Sequence, residues 1–184
     1  MGLLPNERGQ ITPMMRSGDV LKILERWGAD GVTVWLDGGW GIDALVGEQT
    51  RPHDDLDVVL ALDQTDRAIK CLVEIGFVIE LDDRPTRLVL RAGAGRQVDV
   101  HPVTFDADGT GWQRGAAPGG GDCPYPAKGF TSGEVAGQPV PCLSASVQMA
   151  HHLGYPPDEK DWHDVRLLHE RHGVDLMAPY DTPE

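Results

Sequence analysis

The chain has 184 residues, 40% of them hydrophobic and 24% charged, the composition of a soluble globular protein with room for one domain or for a core and a small helical appendage. Sixteen Lys and Arg stand against 29 Asp and Glu, a formal net charge of −13. That balance argues against nucleic acid as the main partner, because phosphate binding needs clustered Lys and Arg, and it suits a cationic substrate or solubility alone.

No apolar run approaches the length of a membrane span, and the N-terminus has no signal-peptide core. Cys71, Cys123 and Cys142 are odd in number and widely spaced, which predicts free thiols and a cytoplasmic location. Pro5, Gly9 and Pro13 predict a disordered lead over residues 1–16. Val20, Leu21, Ile23, Leu24 and Trp27 then recur at helical spacing behind a Ser17-Gly18-Asp19 cap. A short strand is predicted over 32–36, a two-turn helix over 40–46 stopped by Gly47, and a second strand over 55–60. A third helix follows, with Ile69, Leu72, Val73 and Ile75 as its apolar face and Gly76 as its stop. Strands are predicted over 77–81, 87–91 and 96–103, the last two joined by a Gly-Ala-Gly turn. Residues 111–141 are rich in Gly and Pro, with Trp112, Tyr125 and Phe130 spaced through them. They read as a substrate-facing loop carrying one hairpin near 130–140. A helix capped by Ser144 and a last one over 160–172, its face Val165, Leu168 and His172, complete the chain. The order predicts an α+β protein: a mixed sheet over 17–110 with helices on one face, the loop region 111–141, and C-terminal helices over 142–184.

The chemistry concentrates in one stretch, Asp37-Gly38-Gly39-Trp40 followed by Arg51-Pro52-His53-Asp54-Asp55-Leu56-Asp57. Gly38 and Gly39 carry no side chain, so backbone amides at the following helix start can approach an anion. Asp55 and Asp57 lie on the same face of a strand, roughly 6.5 Å apart, and two hard acids suit Mg²⁺ shared with phosphate oxygens. A phosphate cradle beside a metal-binding pair reads as phosphoryl or nucleotidyl transfer. A two-metal clamp needs a further carboxylate, and Asp99 in Val98-Asp99-Val100-His101-Pro102 is the candidate, with an ion pair to Arg87 as the competing role. His101 shares the face of Asp99 and reads either as substrate-facing or as a hydrogen-bonded structural group. Arg51 and His53 are candidates for the phosphates, and Arg51 could instead pair with Asp43 or Asp54. Trp112 is the aromatic candidate for the substrate in the Gly/Pro-rich loop.

These motifs resemble the polymerase-β-type nucleotidyltransferase superfamily, and within it the lincosamide nucleotidyltransferases and aminoglycoside adenylyltransferases. Gly38-Gly39-Trp40, the Arg51-x-His53-x-Asp55-x-Asp57 run and the Val-Asp-Val-His-Pro strand carry the resemblance. It implies a polymerase-β-like core with Mg²⁺, two ions, held by Asp55, Asp57 and Asp99, and Asp99 as general base. It implies ATP or another nucleoside triphosphate bound by Gly38, Gly39, Arg51, His53 and Lys160, with His101 and Trp112 toward the acceptor. The acceptor it implies is a small-molecule antibiotic: a lincosamide hydroxyl, with an aminoglycoside or a non-antibiotic acceptor such as a protein as the alternatives. It also implies a homodimer, because small members of the group often need a second subunit.

Overall fold

The computed structural model describes residues 14–181. In chain order the elements are α1 (Ser17–Ala29), β1 (Val34–Asp37), α2 (Gly38–Val46), β2 (Leu56–Ala61), α3 (Thr65–Glu74), β3 (Val78–Asp83), β4 (Arg87–Arg91), β5 (Gln97–Phe105), β6 (Gly111–Gln113), β7 (Cys123–Tyr125), β8 (Phe130–Val135), β9 (Gln138–Leu143), α4 (Ala145–His151) and α5 (Glu159–His172). The main sheet runs β3-β4-β5-β2-β1-β9-β8, and a small ribbon, β6 and β7, hangs from β5. β2 with β5 and β1 with β9 are parallel, and the other pairs are antiparallel, so the sheet is mixed as the sequence predicts.

The expected lead over 1–16 lies outside the described residues up to 13, and its last residues are fixed. Met15 is fully buried, and its backbone N–H donates to the His53 carbonyl at 2.9 Å. Val20, Ile23 and Trp27 turn the buried stripe of α1 inward, and the Trp27 indole donates to the Ala68 carbonyl at 3.1 Å. In α3 the buried stripe is Thr65, Ala68, Cys71 and Leu72. Val73, expected to be inward, is 51% exposed, because a stripe centred on Ala68 and Leu72 leaves it on the rim.

The larger correction concerns residues 111–141. They hold β6, β7, β8 and most of β9, and only residues 114–122 remain a long loop between strands. The hairpin expected near 130–140 is β8 and β9, and Pro139 and Pro141 each remove a ladder donor from β9. Both lie on the exposed side of β9, while Val140 and Cys142 between and beyond them are buried. Gly133 marks the place where α2 crosses β8. A Cβ there would overlap the Ala44 carbonyl, so only glycine lets the two backbones touch.

The C-terminal helices rest on α2 through Ile42, Met149, Val165 and Leu168. An Asp158–Asp161 capping box starts α5, and Gly173 in the left-handed region (φ 65°) ends it. His172, expected on the inward face, is exposed. The tail folds back, with buried Tyr180 packed on Trp162 and its hydroxyl donating to the His152 carbonyl at 3.0 Å. Among the described residues no helix is long and apolar enough to cross a membrane.

Candidate active site

Strand register sets the site. Asp37 at the end of β1 pairs with Asp57 near the start of β2, and Asp57 pairs with Asp99 on β5. Three aspartates therefore stand in one row across three adjacent strands. Asp37 and Asp99 are buried among valines and leucines, where an unpaired carboxylate is costly, and each has partners. Asp37 caps α2, accepting from the Gly38 N–H at 2.8 Å, and its other oxygen lies 3.4 Å from His151 Nδ1. Burial alone would raise the Asp37 pKa, but His151 and the Gly38 amide hold it below the usual carboxylate value. The converse acts on His151. Burial pushes it down, yet hydrogen bonds to Asp37 and Cys123 raise it to about 10, so the imidazole is charged.

Asp99 receives the Arg87 guanidinium across both oxygens, with Nε 2.9 Å from each. The ion pair weighed as a rival from sequence and the placement beside Asp57 thus occur together. One oxygen each of Asp57 and Asp99 and a ring nitrogen of His101 lie within 4.8 Å of one another. Asp55 is outside that trio. It precedes β2 by one residue and lies 3.4 Å from the Gln97 amide. Burial, then repulsion from Asp57 and Asp99, pushes its pKa up to about 6, so all three carboxylates share one field. His101 Nε2 faces Asp57 at 3.3 Å. Burial lowers its pKa and Asp57 raises it, with the balance upward.

The glycine turn closes on the same point. Gly38 has φ 56°, and a Cβ there would stand 2.6 Å from an Asp57 oxygen. A Cβ at Gly39 would overlap the His53 ring and come 2.7 Å from the Arg51 guanidinium. Both positions therefore require glycine. His53 is buried beneath the turn, on Asp43 and against the Trp40 ring at 4.8 Å, and Asp43 also accepts from Thr50 N–H and hydroxyl at 3.1 and 2.7 Å. Its ring therefore supports the turn from below. Arg51 meets neither Asp43 nor Asp54. It binds Asp164 of α5, Nε to Oδ1 at 2.8 Å, and Lys160 reaches Asp54 at 3.0 Å.

Two clefts open on either side of the aspartate row. One of about 260 Å³ is lined by Gly38, Gly39, Arg51, Gln148 and Lys160 among others. The other, of about 600 Å³, is lined by Arg87, Asp99, Gln113, Cys123, Tyr125 and His151, with Ala116 to Pro118 of the long loop as one wall. Asp37, Asp57, His101, His151 and Tyr155 border both. Trp112 borders neither. It is 39% exposed with its indole on Asp106 at 2.9 Å, and its neighbour Gln113 faces the cleft because side chains alternate along a strand.

The sequence points to Gln148 and His151 only as part of a helix resembling that of the lincosamide nucleotidyltransferases, and it gives no role to Gln113 or Asp164; all four come from elements far away in the chain. Gln148 carries a further sign: it is fully buried, yet neither atom of its amide has a hydrogen-bond partner among the described residues. Position-by-position motif reading has no signal for such a group, since the deficit exists only in the fold.

A mixed sheet whose first strand ends in a glycine-rich helix start, set against a row of strand carboxylates, is the frame of a nucleotidyltransferase. A family model described as aminoglycoside-2''-adenylyltransferase matches residues 19–168, and the chain belongs to that family. It is 36% identical over 137 residues to a lincosamide resistance protein of Staphylococcus haemolyticus, covering 74% of this chain and 84% of that protein. It is 31% identical over 134 residues to a 2''-aminoglycoside nucleotidyltransferase of Escherichia coli, covering 67% of this chain and 64% of that one. Among solved structures, the lincomycin-bound lincosamide antibiotic adenylyltransferase LnuA superposes with a TM-score of 0.75 at 33% identity, over 84% of this chain and 97% of that one. ANT(2'')-Ia in complex with adenylyl-2''-tobramycin shares the fold, with a TM-score of 0.68 at 22% identity over 85% of this chain and 89% of that one. The protein is a nucleotidyltransferase of the antibiotic-resistance type.

Proposed function

We propose that the enzyme transfers AMP from ATP to a hydroxyl of a lincosamide antibiotic. The observation that carries this reading is the meeting of Asp57 and Asp99 beside the Gly38-Gly39 helix start, between two clefts. The smaller cleft suits the triphosphate. Backbone amides at the start of α2 would take phosphate oxygens, Arg51 and Lys160 would add charge on leaving Asp164 and Asp54, and the unpartnered Gln148 amide has two N–H donors and a carbonyl acceptor at the same cleft. Asp57 and Asp99 offer adjacent hard oxygen donors that fit Mg²⁺, and Asp55, which shares their electrostatic field, would supply a further carboxylate. Held there, Mg²⁺ would supply Lewis-acid stabilisation of the charge on the transferring phosphate.

The residues of the chain do the rest. Asp99 accepts the proton of the acceptor hydroxyl, whose oxygen forms a bond to the α-phosphorus. The bond from that phosphorus to the bridging oxygen breaks, and pyrophosphate leaves. Arg87 keeps the Asp99 carboxylate oriented, and the buried His53–Asp43 pair keeps the glycine turn in shape.

The acceptor cleft favours a lincosamide over an aminoglycoside. Beyond the aspartate row it has apolar walls, Ala116 to Pro118 and Leu153, and two cations, Arg87 and His151. Arg87 is paired with Asp99 and His151 with Asp37, so the choice rests on the apolar walls, which suit a sugar carrying an apolar substituent. The greater coverage of the lincosamide relative points the same way. The test is pyrophosphate release from ATP and Mg²⁺ with lincomycin, clindamycin and several aminoglycosides. Release with the lincosamides supports the reading. Release with aminoglycosides alone replaces the acceptor, and release with neither removes the antibiotic assignment.

A further inference from the structure

Distances alone would make Asp57, Asp99 and His101 a three-ligand metal site. The hydrogen atoms argue otherwise. The Thr86 carbonyl can only accept, so the Gln113 amide atom 2.7 Å from it is the nitrogen. The Gln113 oxygen then faces the Tyr125 hydroxyl, which donates to it at 2.7 Å. With one N–H on Thr86, the second N–H of Gln113 points at His101 Nδ1, 3.1 Å away. A ring nitrogen facing a donor must offer its lone pair, which leaves the ring proton on Nε2. Nε2 is the nitrogen turned to Asp57. A metal-ligating imidazole needs a bare nitrogen toward the metal, and here the bare nitrogen faces away.

We propose that Gln113 is a positioning residue for the acidic site: it holds His101 as the Nε2–H tautomer, so that His101 donates to Asp57 and orients that carboxylate without itself ligating the metal. The inference rests on the reading of Asp57 as a metal-holding group. Gln113 and Tyr125 are 5% and 3% exposed, so neither amide nor hydroxyl has water as an easy alternative partner. The arrangement also gives the β6–β7 ribbon a task. Gln113 on β6 and Tyr125 on β7 reach the active site only because the ribbon pairs with β5.

Long-range ¹H–¹⁵N spectra of the full-length, metal-free protein read the ring protons directly, with His101 assigned from the spectrum of His101→Gln. The expected result is a protonated Nε2 and a bare Nδ1. A proton on Nδ1, or on both nitrogens, overturns the proposal. The second arm uses Mn²⁺ alone as the probe, its affinity read from water relaxation. Gln113→Met keeps the volume and removes the amide. The expected result is a mixed tautomer and Mn²⁺ affinity weaker by about tenfold, the low end for groups that orient a metal ligand. Tyr125→Phe, which loses one hydroxyl, shifts both readings the same way by less and serves if Gln113→Met does not fold. Unchanged tautomer and unchanged Mn²⁺ affinity in the folded variant overturn the proposal. Neither arm involves nucleotide or antibiotic, so its failure is separable from failure of the transferase reading.

Discussion

Asp55, Asp57 and Asp99 share one field, and burial, then repulsion from the other two, raises the Asp55 pKa from 3.8 to about 6. A carboxylate with a raised folded pKa destabilises the fold when it is charged. The penalty is absent below about pH 4, grows between there and pH 6, and is full above. Asp55→Asn is therefore expected to stabilise the metal-free protein by about 1–2 kcal/mol at pH 8, the shift being discounted for partial solvent access, and to change little at pH 4. Thermal melts at the two pH values check this, and equal effects at both would contradict it. Asp99→Asn removes the proton acceptor and leaves the smaller cleft intact. Turnover is expected to fall at least about 100-fold with ATP binding retained, measured by pyrophosphate release and by nucleotide titration. Gly39→Ala drives a methyl into the His53 ring and the Arg51 guanidinium. Weakened ATP binding is expected from it, and wild-type affinity would show that the turn does not need a bare backbone. At this scale the sequence was most legible where chemistry is written locally, at Gly38, Gly39 and Asp57. It was least legible where the partner is distant, since nothing near Arg51 announces Asp164, 113 positions on. Trp112, the aromatic candidate for the substrate, faces away while its neighbour Gln113 lines the cleft, because a three-residue strand shows no alternation long enough to tell which side chain faces inward.

The element that positions the site is α2. It starts on the aspartate row, and it is fixed from below by β8 and from the side by α4 and α5. Gly133 permits the first of these contacts, so Gly133→Ala is expected to cost about 1–3 kcal/mol in denaturant unfolding by forcing α2 off the sheet. An unaltered midpoint would mean that α2 yields freely. The helices were readable from apolar periodicity and capping, because both signals lie within a few residues. Strands β8 and β9 were readable only as a local hairpin. Their Gly and Pro residues gave the composition of a loop, and only pairing with β1, about a hundred positions earlier, makes them part of the main sheet. What the local pattern did not show is that the hairpin forms one edge of the main sheet.

For the whole molecule, the net charge of −13 suggested a cationic acceptor, but the charge is unevenly spent. In the acceptor cleft Arg87 is paired with Asp99 and His151 with Asp37, so much of the row's charge is already compensated there. The division into two clefts meeting at Asp57 and His101 is what a reaction between two bound substrates needs, and it arises from the register of β1, β2 and β5. The α+β class followed from element order alone, whereas that register required the fold. The most direct test of the account is the mass of lincomycin after incubation with the enzyme, ATP and Mg²⁺. The account predicts a product heavier by one adenylyl group, absent with Asp99→Asn. Lincomycin recovered unchanged from the active enzyme, with adenylyl transfer to another acceptor or to none, would contradict it.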